Sequence, residues 1–239
     1  MIEKHLLKLR ARDAVSAEEE AAIRELVSEV REVQAKATLI RAEQRLDTST
    51  LLLDGWMCRY KDLCSGQRQV TELHVAGDFV DLHSFTLKRL EHNIMALTPC
   101  RIGVVPHERL RALSERHPHL TRLYWLTTNI DAAGHREWEL SLGRRHATAR
   151  LAHLFCEMYA RLELVGLTDG MRYTLPLTQL DLAECTGLTP VHVNRMLKEL
   201  REQGIVEMRR NQVEIYDWKR LADVAEFNPA FLYIGQEPR

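Results

Sequence analysis

The spacing of hydrophobic residues changes along the chain, and each change predicts a different kind of element. Ser16 and Glu19 have the spacing of a capping box, which predicts a helix behind them that ends near Val30. From about residue 30 to 105, short runs rich in β-branched and aromatic residues are separated by turn signals such as Gly77-Asp78. The runs are VREVQ, TLLLD, GWMCRYK, RQVTELHV, NIMAL and RIGVV. Short strands at this spacing predict a small sandwich or barrel.

After Pro106 the pattern becomes helical, and a long segment begins at His117-Pro118 and runs to about Leu142. Apolar residues recur in it at three- and four-residue steps, in an approximate heptad. They are Leu123, Leu126, Ile130, Ala133 and Leu140. The heptad is compatible with a helix packed on its own domain, but its length and mixed polarity favour a seam shared with a second copy of the chain. Gly143-Arg144-Arg145 predicts a hinge, and a further helix is predicted from about Ala147 to Leu164.

Further on, a helical pattern stops and restarts within a few residues. Gly187 lies where a helix ends, Thr189 has the position of an N-cap and Pro190 that of a first helical residue. The offsets of Ala183, Gly187, Val193 and Met196 fit the crossing, turn and packing positions of a helix-turn-helix. A helical hairpin inside an enzyme is the alternative. Two short β-runs around Arg210-Asn211 follow, as in a wing, and they favour DNA binding.

The predicted second helix has one apolar and one polar face. Arginine and asparagine can each make two hydrogen bonds to a base edge, and lysine reaches phosphate. The predicted DNA-binding residues are Thr178, Thr189, His192, Asn194, Arg195 and Lys198, with Arg209, Arg210 and Asn211 at the wing.

Composition narrows the class of protein. The formal net charge of −1 over 239 residues gives no global basic signal, so DNA binding must come from a local surface. Five cysteines without paired spacing disfavour a disulfide framework or a zinc finger and suit the cytoplasm. No apolar run approaches the roughly 18 residues of a membrane span. No nucleophile triad, phosphate loop or carboxylate pair stands out, so we predict neither an enzyme nor a metal site or other cofactor.

Two stretches, LLLDGWMCRYKDLCSGQRQVTELHVAGDFVDLHS and LTQLDLAECTGLTPVHVNRMLKELREQGIV, resemble the cyclic-AMP receptor protein/FNR superfamily of bacterial transcription regulators. With the long helix between them, the resemblance covers nearly the whole chain. It implies an α+β fold with a β-roll of the cyclic-nucleotide-binding jelly-roll type (1–116), a dimerisation helix (117–143) and a winged helix-turn-helix (144–239). It also implies a homodimer on a palindromic DNA operator, with RNA polymerase as a further partner.

The sensor motifs depart from those of the family. Members that bind cyclic nucleotide carry Arg-Ser at the phosphate, where this chain has His92-Asn93, so we expect an effector other than cyclic AMP. The first cysteine is Cys58, so the N-terminal cysteine cluster of the FNR branch is absent. A β-roll that serves only as a scaffold, or an atypical cyclic-nucleotide pocket, are the alternatives. Candidate effector-pocket residues are Asp81, His83, Arg89, His92 and Asn93.

The recognition helix departs from the family as well. Arg195 fits the family's arginine, but Val191 stands where the family often has a glutamate, four residues earlier. Without that carboxylate, the contacts to cytosine are lost and the half-site is expected to change.

Overall fold

The computed structural model describes residues 1–238, which form two compact units. The first contains residues 1–61, 72–132 and the C-terminal residues from 233, and the second contains residues 62–71 and 133–232. The domain boundaries that the sequence analysis gives after residues 116 and 143 remain predictions.

Seven strands of the N-terminal part form two antiparallel sheets. They are β1 (Glu29–Val33), β2 (Thr38–Ile40), β3 (Thr48–Asp54), β4 (Trp56–Asp62), β5 (Arg68–Val75), β6 (Asn93–Ala96) and β7 (Cys100–Pro106). The strand orders are β1-β7-β3 and β2-β6-β4-β5. Buried apolar residues such as Leu52, Met57 and Ile94 form a core cluster in this β-roll. The small sandwich or barrel predicted from the short strands, which the family resemblance implied to be a β-roll, is confirmed.

Two short helices precede the β-roll, α1 (Glu3–Arg10) and α2 (Ala17–Arg24). The predicted capping box is formed, with Ser16 Oγ accepting from Glu19 N at 3.2 Å and Ser16 N donating to Glu19 Oε2 at 2.9 Å. The predicted end of this helix near Val30 was wrong. The helix ends at Arg24 because the following residues enter β1, where Val30 pairs with Gly103 of β7.

The turn after β5, at Gly77-Asp78-Phe79, depends on its glycine. Gly77 has a φ of +96°, and a Cβ there would lie 2.7 Å from the carbonyl carbon of Lys4 in α1. Only glycine adopts this conformation and allows the close approach. The turn signal predicted at Gly77-Asp78 is therefore present, and after it the chain forms the short helix α3 (Ser84–Leu87).

Three helices follow: α4 (His107–Arg116), α5 (Pro118–Arg144) and α6 (Ala147–Glu163). The heptad residues of α5 do not all face outward. Leu123 is only 1% exposed and belongs to the core that α5 shares with α1 and the β-roll, and Ala133 is also buried. The assignment of these two residues to a contact with a second chain is therefore corrected. Among the large hydrophobic side chains of α5, Trp125 is the most exposed, at 68%.

A buried arginine joins α5 to the β-roll. Arg59 of β4 is 2% exposed and donates from Nε to Val80 O at 2.9 Å, from one terminal nitrogen to Asp131 of α5 at 3.2 Å, and from the other to Glu72 of β5. Burial raises the pKa of Asp131 to about 7, as it does that of Asp81 near the same guanidinium.

The C-terminal part adds small elements around α6. They are β8 (Thr168–Asp169), β9 (Arg172–Thr174), α7 (Gln179–Thr186), α8 (Pro190–Glu202), β10 (Val206–Arg209), β11 (Gln212–Ile215), α9 (Trp218–Ala225) and a 3₁₀ turn (Pro229–Leu232). The sheet order is β10-β11-β9-β8. The predicted wing, β10–β11, therefore extends a second hairpin, β8–β9, which was not predicted from the sequence. Arg210 and Asn211 both have positive φ, as a two-residue hairpin turn of the primed type requires.

Over residues 1–238, no helix has both the length and the apolar character needed to cross a bilayer.

His119 of α5 is hydrogen-bonded to α2 and to the segment that precedes α2, and these bonds make the stability of the protein depend on pH. His119 bonds Glu19 Oε1 through Nδ1 at 2.6 Å and Asp13 Oδ2 through Nε2 at 3.1 Å. Burial favours the neutral ring, but the hydrogen bonds to Glu19 and Asp13 outweigh it and raise the pKa of His119 above 6.5. Its stabilising contribution is therefore complete below that value and is lost as the pH rises through the raised folded-state pKa.

We therefore predict that His119→Ala lowers the melting temperature more at about pH 6 than at about pH 9, because only the protonated ring donates to both carboxylates. Thermal unfolding followed by circular dichroism measures this, with His192→Ala, at an exposed histidine of the second unit, as the control. An equal loss at both pH values would contradict the prediction.

Candidate nucleic-acid interface

The corner between α7 and α8 is built from local caps. Thr178 caps α7 by accepting from Asp181 N at 3.1 Å, and the Asp181 carboxylate accepts in return from Thr178 N at 2.8 Å. Gly187 ends α7 in the left-handed conformation, with a φ of +65°. Thr189 then caps α8 by accepting from His192 N at 3.3 Å, and Pro190 is the first helical residue. The caps predicted at Thr189 and Gly187 are present.

One face of α8 is buried against its neighbours. Val193, Met196 and Leu200 are buried, and α8 packs on α6, α7 and β10. Met196 Sδ accepts a hydrogen bond from Thr148 Oγ1 of α6 at 2.8 Å. Because this face is fixed by packing, the direction of the opposite face is fixed as well.

The opposite face of α8 is exposed and carries most of the predicted DNA-binding side chains. The structure brings together Thr189, His192, Asn194, Arg195 and Lys198 along it, with Val191 beside them. Lys198 lies 3.7 Å from Glu202, an exposed pair one turn apart. Such pairs are worth little, so Lys198 remains available to a phosphate. No acidic residue lies in the first turn of α8, where the helix dipole is positive.

The other predicted residues lie on separate elements of the same unit. Arg209, Arg210 and Asn211 are exposed at the tip of the β10–β11 hairpin, with Arg209 Nε 2.7 Å from Glu207 Oε1. Thr178 is exposed at the start of α7, but its hydroxyl donates to the Asp181 carboxylate at 2.7 Å. Its side chain therefore has a capping role.

Two side chains that the sequence reading missed hold the corner in place. Gln69, the second residue of β5 and part of the stretch 62–71 that belongs to the second unit, donates to Glu184 O at 2.7 Å. Arg150 of α6 donates to Thr186 O at 3.2 Å. Both satisfy carbonyl groups at the end of α7 that have no partner inside the helix. Neither contact has a local sequence signal, since Gln69 is 115 residues from Glu184 along the chain.

The candidate effector residues are mostly occupied by contacts inside the β-roll. Asp81 is fully buried and accepts from Thr50 N at 2.5 Å, and Asn93 Oδ1 accepts from Ala42 N at 3.0 Å. Arg89 is exposed and donates to Glu43 O. His83 and His92 lie beside each other, with ring centroids 5.4 Å apart.

Two protein-family models match this chain. The model of a Crp-like helix-turn-helix domain matches residues 149–224, and that of a cyclic nucleotide-binding domain matches residues 30–117. The chain is 28% identical over 213 residues to the transcriptional activator protein FnrL of Cereibacter sphaeroides, covering 87% of this chain and 84% of the relative. It is 23% identical over 200 residues to the fumarate and nitrate reduction regulatory protein of Escherichia coli, covering 84% and 80%.

Solved structures share the fold. FixK2 from Bradyrhizobium japonicum superimposes with a TM-score of 0.76 at 23% identity, covering 83% of this chain and 98% of that one. The c-di-GMP responsive global regulator CLP of Xanthomonas campestris gives a TM-score of 0.66 at 16% identity, covering 84% and 99%.

The corner generates a stability prediction at Gly187. A Cβ at this position would lie 3.0 Å from Leu142 Cδ2, and the left-handed backbone disfavours any side chain. We expect Gly187→Ala to lower the free energy of unfolding by about 1–2 kcal/mol, the usual cost of a left-handed non-glycine residue. Urea denaturation followed by circular dichroism measures it.

Gly134→Ala is the matched control. Gly134 lies inside α5 with ordinary helical backbone and open space around its Cα, so alanine there should raise the free energy of unfolding by up to about 1 kcal/mol. The opposite signs are the test, and a Gly187→Ala protein as stable as the wild type would disprove the argument.

Proposed function

We propose that this protein acts in the cytoplasm as a homodimer on a palindromic operator. The chain belongs to the Crp/Fnr superfamily of bacterial transcription regulators and is a DNA-binding regulator of that type. Its recognition element is the exposed face of α8, assisted by the β10–β11 wing. The proposal also includes RNA polymerase as a partner, as for a regulator that acts at promoters. The curated relatives are themselves regulators, and we propose no enzymatic activity.

The observation that carries the DNA-binding proposal is the division of α8 into two faces. The buried face fixes the helix on α6 and α7, and the exposed face offers Asn194 and Arg195 near the end that enters a major groove. Positive charge is concentrated there and at the wing, although the chain as a whole has a net charge of −1. A local basic surface of this kind is what phosphate binding requires.

The dimer proposal rests on the outward face of α5. Residues four, seven, eleven and eighteen positions after Trp125 lie on the same side of an α-helix. These residues are Asn129, Ala132, Arg136 and Gly143, and all of them except Arg136 have small or short side chains. Short side chains allow two helices to approach closely, and an exposed tryptophan is a typical anchor of an interface. The seam is therefore moved from the predicted line through Leu123 and Ala133 to the face centred on Trp125.

The effector proposal rests on the contacts in the β-roll. Asn93 is bonded to Ala42 N, and His92 Nδ1 lies 3.0 Å from Glu91 Oε1, so neither replaces the arginine that holds a cyclic-nucleotide phosphate in the family. Arg59 is buried but surrounded by carboxylates. We propose that cyclic AMP is not the effector. A scaffold without a ligand, or an atypical nucleotide pocket, remain the two alternatives.

Two substitutions on α8 test the proposed orientation toward DNA. Arg195→Ala should remove about 1–3 kcal/mol of base discrimination at one position of each half-site, since its fork fits guanine O6 and N7. Lys198→Ala should weaken binding to all sequences alike and lower the salt slope by about one. Operator selection from a random pool, followed by salt titrations, measures both. An unchanged sequence preference in Arg195→Ala would show that Arg195 is not a base reader.

A substitution at Trp125 tests the dimer. Trp125→Arg places a charge at the centre of the proposed interface, so the protein should sediment as a monomer at micromolar concentration while the wild type sediments as a dimer. Leu87→Ala, which truncates an exposed apolar side chain of α3, is the control and should remain dimeric. A wild-type protein that is monomeric both with and without DNA would refute the proposal.

A further inference from the structure

Val191 is the most exposed large hydrophobic side chain of residues 1–238, at 78%. It is the second residue of α8 and lies on the face that carries Asn194 and Arg195. Single exposed valines are common on protein surfaces and by themselves indicate little. This one lies among the side chains proposed to meet the bases, at the end of the helix that enters the groove.

Val191 has no part in holding the fold together. The buried face of α8 is formed by Val193, Met196 and Leu200, and the cap uses Thr189 Oγ1 and the backbone N–H of His192. Its side chain can therefore be shortened without opening a cavity, so a change in DNA binding can be separated from a change in stability.

We propose that Val191 selects a thymine in each half-site by contacting its 5-methyl group in the major groove. The inference rests on the proposed function, because it needs α8 to lie in the groove with its N-terminus toward the bases. It specifies one base pair of an operator that the proposed function leaves open.

The chemistry of the side chain limits what it can select. Valine has no hydrogen-bonding group, and thymine is the base with a methyl group on its major-groove edge. Against a cytosine, the amino group would lose water without gaining an acceptor from Val191, which is unfavourable. A glutamate at this position would accept from that amino group, so valine exchanges a preference for cytosine for one for thymine.

The spacing on the helix locates the thymine relative to the guanine proposed for Arg195. Four residues of helix rise about 6 Å. Successive base pairs are separated by about 3.4 Å. Val191 and Arg195 lie on the same side of α8 one turn apart, so the thymine should fall one or two base pairs from the guanine.

Deoxyuridine tests the contact atom by atom, because it differs from thymidine only by the missing methyl group. The operator is first selected from a random pool with the wild-type protein. Each thymidine of one half-site is then replaced in turn by deoxyuridine, and the dissociation constants of the wild type and of Val191→Ala are measured. For the wild type, one replacement within two base pairs of the guanine should weaken binding about fourfold, as for one buried methyl group.

The same replacement should leave the affinity of Val191→Ala unchanged, because the partner methyls are already gone. Met171→Ala is the matched control, since Met171 is also exposed, at 45%, but lies in the turn between β8 and β9. It should retain the full effect of deoxyuridine. Circular dichroism melting should show all three proteins equally folded.

The outcomes separate this inference from the function it rests on. A defined operator with no deoxyuridine effect near the guanine, or with the same effect in Val191→Ala, would overturn the assignment of Val191 alone. A pool that enriches no sequence at all would overturn the proposed function and this assignment together. An effect present in the wild type and in Met171→Ala and absent from Val191→Ala supports it.

Discussion

The left-handed backbone at Gly187 is the constraint on which the DNA-binding surface depends. α7 must end and α8 must begin within three residues, and only a residue without a Cβ turns the chain there beside Leu142 without strain. Once the turn is set, Thr189 caps the new helix, and packing of Val193 and Met196 fixes its rotation. The rotation decides which side chains are exposed, so the choice of base readers follows from a backbone angle.

The turn is also supported from outside, by groups that the sequence does not reveal. A helix ends with carbonyl groups that have no partner within the helix, and here Gln69 and Arg150 donate to those of Glu184 and Thr186. The two donors come from β5 and from α6, and they act only because the fold brings them there. The corner therefore combines local instructions that can be read from residues 178–190 with distant contacts that cannot.

The same division explains how much could be predicted from the sequence. Caps, glycine turns and the wing depend on a few neighbouring residues, so the two helices of the corner and the hairpin at Arg210-Asn211 were predicted correctly. β8 and β9 were missed because they are two and three residues long and are defined by pairing with each other and with β11. The end of α2 and the burial of Leu123 were mispredicted because pairing with β7 and packing against α1 override local preference.

Arg59 shows why the sensor is harder to read than the DNA-binding face. A buried guanidinium near the motif of a cyclic-nucleotide-binding domain suggests a phosphate site, but this one already has Val80 O, Glu72 and Asp131 as partners. Drawing Arg59 toward a bound phosphate would leave the partly buried carboxylates of Glu72 and Asp131 without their cation, which is unfavourable. Burial raises the pKa of Asp81 and of Asp131 to about 7, although the Arg59 guanidinium acts in the opposite direction. Because Asp131 belongs to α5, whatever changes the partners of Arg59 acts directly on the helix that we propose joins the two subunits.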